Sequence, residues 1–168
     1  MLENYIQLFS SFTTARKAGK NAPHKAILML SIIDLVEQGY ITTNKIILDK
    51  QLEDMFSHLW KRYVGSSIIF KPNIAAPFWH LQNEPFYNLY HNGGLPLNLA
   101  DPHYSISYLR DNTHALIDED LFRLMCDESC RAELRVTLIS KYLQGLHTPS
   151  EILMLILPFL TPILSAAV

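Results

Sequence analysis

Most apolar positions along the chain recur at helical spacing, and the remainder fall into short extended runs. From Glu3 to Ala15, the residues Tyr5, Leu8, Phe9 and Phe12 lie at helical intervals and predict an amphipathic helix. Arg16 to Ala22, with Gly19 and Asn21, reads as a polar loop. Pro23 to Gln38 is apolar nearly all round, through Ile27, Leu28, Met29, Leu30, Ile32, Ile33, Leu35 and Val36, and predicts a helix buried in the middle of the domain. Gly39 suits its C-terminal cap. Tyr40 to Leu48 holds a short extended piece, and Asp49 caps a helix reaching about Val64.

Proline then punctuates the pattern. Phe78 to Leu81 and Phe86 to Tyr90 read as two aromatic strands, with Gln82 to Pro85 between them as a hairpin loop. His91 to Gly94 ends the pair as an Asn-Gly turn, and a loop follows to about Pro102. Tyr104 to Arg110 is a short element of either type. Asp118 opens a helix to about Met125, and Asp127 or Ser129 opens another to Leu143, with Gly145 after it. The expected fold class is α+β and mainly helical: a helical domain with a small antiparallel β-hairpin or sheet.

Composition narrows this picture. At 168 residues and 49% hydrophobic content the chain can bury one core. We expect residues 1–146 to form that domain and residues 147–168 an apolar C-terminal helix or tail. The tail, EILMLILPFLTPILSAAV, is interrupted by Pro158 and Pro162 and has no basic flank, so a buried terminal helix, an altered chain end and a membrane anchor are its three accounts. A membrane partner is not expected. Cys126 and Cys130 lack further ligands at zinc spacing and read as reduced thiols, and MLENYIQLF lacks a basic, apolar leader. The expected location is cytoplasmic.

The net charge of −2 excludes an indiscriminate polycation, but the basic residues are uneven. Arg16, Lys17, Lys20 and Lys25, with His24, fall between Phe12 and Lys25 without an acid among them. Pro23 suits a first helical turn, where its missing N–H would be unpaired anyway. It therefore predicts His24 and Lys25 at an exposed helix N-terminus, where free N–H groups and the helix dipole suit a phosphate-like anion. The other histidines (His58, His80, His91, His103, His114 and His147) are scattered, with no HExxH and no metal-spaced pair. No GxSxG, P-loop or GxGxxG is present, and the acids Asp118, Glu119 and Asp120 suit a helix first turn. The residues favour a binding module over an enzyme, with no catalytic set, metal or cofactor expected.

Two strings then combine. NAPHKAILMLSIIDLVEQG starts a Leu-rich helix with P-H-K, and P-F-W-H-L follows about fifty residues later, before FYNLY, SYLR, IDEDLFRLM and RAELRVTLISKYL. This combination resembles the sulfur-binding domain of DNA phosphorothioate-dependent restriction endonucleases, the McrA-like type IV enzymes, over roughly Leu2 to Leu146. The resemblance implies recognition of double-stranded DNA in which sulfur replaces a non-bridging phosphate oxygen, as the reader of a modification-dependent restriction system. It also implies an HNH nuclease domain or subunit as the cutting partner, with no small-molecule substrate. The family's sulfur pocket maps onto His24 and Lys25, Ala76 and Pro77, and Arg110. Ala76 stands where many relatives carry an aromatic residue, which thins the pocket wall.

Elementary chemistry fits this implication. A phosphorothioate keeps its charge, but sulfur is larger and more weakly hydrated than oxygen. A selective site offers sulfur an apolar wall, here Ala76 and Pro77, and offers the oxygens charge-assisted donors, here His24, Lys25 and Arg110. Burying a sulfur-sized area is worth ~1 kcal/mol at ~25 cal/mol/Å². His80, beside Pro77, and the segment Arg16, Lys17, Lys20 and Asn21 are placed to reach neighbouring DNA. The competing expectation is a non-catalytic module that docks a partner or a membrane through its apolar tail.

Overall fold

The computed structural model describes residues 1–95, 97 and 104–168. Most of the loop expected before Pro102, and His103, lie outside the described residues. At the centre is α2 (His24–Glu37), buried along almost its whole length because its apolar residues leave no polar face. It packs against α3 (Lys50–Tyr63), α4 (Ala75–His80), α6 (Glu119–Cys126) and α7 (Glu128–Tyr142). Gly39, at φ +73°, ends α2 as expected: its N–H donates to the Val36 carbonyl and that of Tyr40 to the Leu35 carbonyl. The Asp49 side chain caps α3 by accepting from the Leu52 N–H at 3.0 Å. The Asp127 side chain caps α7, accepting from the Cys130 N–H at 2.8 Å, which breaks the helix between Cys126 and Cys130.

A three-stranded antiparallel sheet lies beside the helices in the order β3 (Lys45–Ile46), β5 (Thr113–Ile117), β4 (Tyr87–His91). β5 follows α5 (Ile106–Asn112) directly and pairs with β4 from Tyr87↔Ile117 to His91↔Thr113. Thr113, Ala115 and Ile117 alternate inward, so one face of the strand meets the core. The turn expected at Asn92-Gly93 is present, with the Gly94 N–H donating to the His91 carbonyl at 2.8 Å.

The expected hairpin of Phe78–Leu81 with Phe86–Tyr90 does not form. Phe78 to His80 belong to α4, and Leu81–Asn83 continue it as a 3-10 turn. The Asn73 side chain accepts from the Ala76 N–H, and Phe78, Trp79 and Leu81 all bury from this helical turn. A short apolar run does not distinguish helix from strand by period, and β5 takes the place at β4 that the hairpin would have filled.

Two further expectations are corrected. The first helix, α1, spans only Leu2–Phe9, because the hydroxyls of Ser10 and Ser11 bond back to the Ile6 and Gln7 carbonyls and end it. Phe12 is still buried beyond it; its N–H donates to the Tyr142 hydroxyl, which donates in turn to the Phe9 carbonyl. Where a loop was expected, β1 (Arg16–Lys17) and β2 (Lys20–Asn21) form a two-stranded hairpin.

The tail forms α8 (Pro149–Ala166), capped by a reciprocal pair of bonds between Thr148 and Glu151. Ile152, Leu155, Ile156 and Phe159 pack against the core from one side, and the Arg135 guanidinium sits 5.1 Å from the centre of the Phe159 ring. The buried terminal helix offered for the tail is not what forms, because no α8 residue is fully buried and Leu153, Met154 and Leu157 face solvent. By length and composition α8 is apolar enough to cross a membrane. Pro158 and Pro162 lie inside α8 without ending it.

Candidate nucleic-acid interface

Three walls, together with the stretch from Ile69 to Asn73, line a cleft of about 810 Å³. The first wall is the stretch from Thr13 to Lys17. Ala18 and Gly19 turn the β1–β2 hairpin with φ of +52° and +74°. A two-residue hairpin turn of the mirror-image type needs both central residues left-handed, which glycine adopts freely and alanine only at a cost of ~1–2 kcal/mol. The Arg16 guanidinium donates to the Gly19 carbonyl at 2.9 Å and holds the turn closed. Arg16 and Lys17 are exposed and line the cleft.

The second wall is the start of α2. Pro23 precedes it, and His24 packs its ring 4.7 Å from the Trp60 indole and edge-on to Phe70. His24 Nε2 lies 2.8 Å from the Lys71 carbonyl oxygen, and burial holds the imidazole below its ordinary pKa. Lys25 departs from the exposed position expected for it. It is only 6% exposed, and its Nζ lies 2.6 Å from Glu84 Oε1 in a buried ion pair. The cause lies in the helix geometry, since α2 runs through the core and the residue after His24 turns inward.

The third wall is α4. Ala76 is half-buried and Pro77 buried, both lining the cleft, so an apolar surface faces the basic hairpin. His80, one turn on, is exposed at the rim beside the Tyr104 ring. Partial burial, and then the Lys25 charge, keep the His80 imidazole below its ordinary pKa.

Of the residues singled out by sequence, the cleft gathers Arg16, Lys17, His24, Lys25, Ala76, Pro77 and His80. Lys20 and Asn21 stand on β2 and do not line it; a Cβ on Gly145 would sit 3.5 Å from Lys20 Cγ, so the Lys20 stem lies against that glycine. Arg110 is not brought in. Its guanidinium donates twice to Glu53 Oε1, at 2.9 and 2.7 Å, fixing α5 to α3. Glu53 lines a neighbouring hollow of about 770 Å³, which shares Lys71 and Asn73 with the cleft. Sequence reading missed Lys71, Asn73 and Glu84; the proline-broken KPN string is a trace of the first two, and Glu84 has none. Arg131 and Arg135, within the quoted RAELRVTLISKYL, serve the fold: Arg135 pairs with Asp34 at 2.7 Å and also with Glu37, and Arg131 reaches Glu37 at 3.3 Å. Among the described residues no group of three or more His, Cys, Asp and Glu side chains is placed to hold a metal ion.

A model of the ScoMcrA-like DNA sulfur-binding domain matches residues 3–156. The chain belongs to this family. Two solved structures share its fold. The sulfur-binding domain of SprMcrA complexed with phosphorothioated DNA superposes with a TM-score of 0.66, at 18% identity over 92% of each chain. The corresponding domain of ScoMcrA, also complexed with phosphorothioated DNA, gives a TM-score of 0.64 at 18% identity, over 95% of this chain and 98% of that one. No curated protein matches the chain. A sulfur-binding domain is a binding domain rather than a catalytic one, and its mainly helical α+β fold is the one described above.

Proposed function

We propose that this sulfur-binding domain recognises double-stranded DNA carrying a phosphorothioate, and that the cleft between the β1–β2 hairpin, the start of α2 and α4 takes the modified backbone. The observation that carries this reading is the juxtaposition of the Ala76–Pro77 surface with His24 and the exposed Arg16 and Lys17 across one cleft. The apolar wall receives sulfur, which loses little hydration on burial, while His24, Lys71 and the hairpin cations hold the phosphate oxygens and the flanking backbone. Lys20 and Asn21 extend the contact along the duplex, and Arg110 joins it only if DNA displaces Glu53. Membership of the family and the likeness to domains solved with phosphorothioated DNA support the same reading.

The role that follows is that of a reader in a modification-dependent restriction system, working in the cytoplasm, with an HNH nuclease domain or subunit supplying cleavage. Residues 1–146 would form the reading unit and α8 an accessory to it. The test is a competition titration of a duplex with one Rp phosphorothioate against the same unmodified duplex at matched salt. The thioated duplex should bind at least tenfold more tightly, ~1.4 kcal/mol per decade. Equal affinity for the two overturns the proposal.

A further inference from the structure

Glu84 stands outside every contact assigned so far to DNA, yet it joins the three walls of the cleft. It follows the turn that ends α4, and its N–H donates to the Leu81 carbonyl at 2.8 Å. One oxygen, Oε1, accepts both from Lys25 Nζ at 2.6 Å and from the Thr13 N–H at 3.0 Å. Thr13 begins the hairpin wall, Lys25 belongs to the α2 wall, and Glu84 is itself only 7% exposed. The buried ammonium of Lys25, which lines the cleft, is therefore matched by a carboxylate that water hardly reaches.

This pairing bears on what the cleft can select. An unpaired ammonium donates strong charge-assisted hydrogen bonds to a phosphate oxygen and weaker ones to sulfur, so it rewards the unmodified backbone. It would also replace part of the hydration that an ordinary phosphate oxygen loses against Ala76 and Pro77, removing the penalty on which discrimination rests. Held by Glu84, Lys25 has its donor capacity partly committed and its charge locally cancelled.

We propose that Glu84 is a specificity-determining residue of the cleft: by engaging Lys25 it withholds a hard cationic donor from the anion site and so favours the sulfur-bearing backbone over the ordinary one. The proposal rests on the phosphorothioate-binding reading above, and the two fail in different ways. The measurement is the affinity of the full chain for thioated and plain duplexes across a salt series, for the unaltered protein and for Glu84→Gln. Glutamine keeps an acceptor for the Thr13 N–H but releases the charge of Lys25. The plain duplex should then bind about tenfold more tightly. Its log–log salt slope should steepen by about one unit, as one more phosphate contact would give. The thioated duplex should change less, so the preference for sulfur falls several-fold. A purely structural role would lower thermal stability and leave the preference and the slope where they were; that outcome in a folded variant overturns the proposal. Glu84→Asp keeps the charge on a shorter arm and decides the matter if the glutamine variant does not fold. Its sulfur preference should stay within about twofold of the unaltered protein's, and loss of that preference in a folded aspartate variant overturns the proposal. If the unaltered protein shows no sulfur preference at all, the phosphorothioate reading itself fails, whatever the variants do.

Discussion

His24 Nε2 and the Lys71 carbonyl oxygen stand 2.8 Å apart, and since a carbonyl only accepts, this nitrogen carries the ring proton. The neutral imidazole, held below its ordinary pKa by burial, then has a lone pair and not a donor on Nδ1. To donate to a DNA anion the ring must take up a second proton. Binding of thioated duplex should therefore strengthen as pH falls from 8 through about 6.5, the ordinary value for histidine. Calorimetry in two buffers of different ionisation enthalpy should count the protons taken up, and His24→Gln should remove most of them. The free protein behaves oppositely. A folded-state pKa below the unfolded one means that this group's contribution to stability is complete above about 6.5 and is lost as pH falls toward the folded value. A pH-independent affinity in the unaltered protein would show that His24 binds as the neutral ring or not at all.

Pro77→Ser places a hydroxyl in the buried apolar wall of the cleft. The preference for sulfur should fall by about tenfold, corresponding to ~1.4 kcal/mol, while salt-dependent binding of the plain duplex stays nearly unchanged. The competition titration reports both quantities. Retention of the full preference would move the sulfur contact away from α4.

Arg16→Ala and Lys17→Ala should each weaken thioated and plain duplexes alike and lower the salt slope by about one unit, because exposed hairpin cations act on phosphates generally. Arg110→Ala should do less to either duplex, since Glu53 already holds its guanidinium at 2.7 Å. It should instead lower the thermal midpoint slightly, as expected for a half-exposed pair worth ~0–1 kcal/mol. An Arg110 effect as large as that of Arg16 would mean that DNA breaks the pair with Glu53.

Arg135→Ala should destabilise the fold by about 1.5–3 kcal/mol, read from denaturant unfolding, because it removes charge-assisted bonds to the partly exposed Asp34 and Glu37, of which Glu37 keeps Arg131. The loss includes the contact of its guanidinium with Phe159, so hydrogen exchange along α8 should speed up. The remaining folded protein should bind DNA as before. A loss below 1 kcal/mol would show that the α2–α7 ion pairs add little.

How much of this was legible in the sequence depends on the range of the interactions concerned. α2 was legible because its apolar pattern, its proline start and its glycine stop are all local. The separation of His24 from Lys25 was not: the spacing put both at one helix start, but which of two neighbours turns inward is decided by what packs around the helix. α4 was misread as a strand because the four residues from Phe78 to Leu81 are too few to separate the two periods. The β1–β2 hairpin was hidden because Ala18 is a poor signal for a left-handed turn position. Glu84 was invisible as a site residue, since its partner Lys25 lies 59 positions away and nothing local marks it. The resemblance carried by P-H-K and P-F-W-H-L reached the family directly, and the structure brings those two strings together across one cleft.

The order of the larger sheet sets a timetable for assembly. All residues lining the cleft lie between Thr13 and Asn83, yet the middle strand of the sheet, β5, ends only at Ile117. Until β5 has left the ribosome, β3 and β4 have no neighbour to complete their backbone pairing, and the inward side chains Tyr87 and Leu89 lack a settled place. At 5–20 residues per second, that gap corresponds to roughly 2–7 seconds of translation during which the complete anion-binding vocabulary exists as chain but not as surface. A nascent or proteolysed fragment ending near residue 95 would thus carry every lining residue and still be blind to DNA.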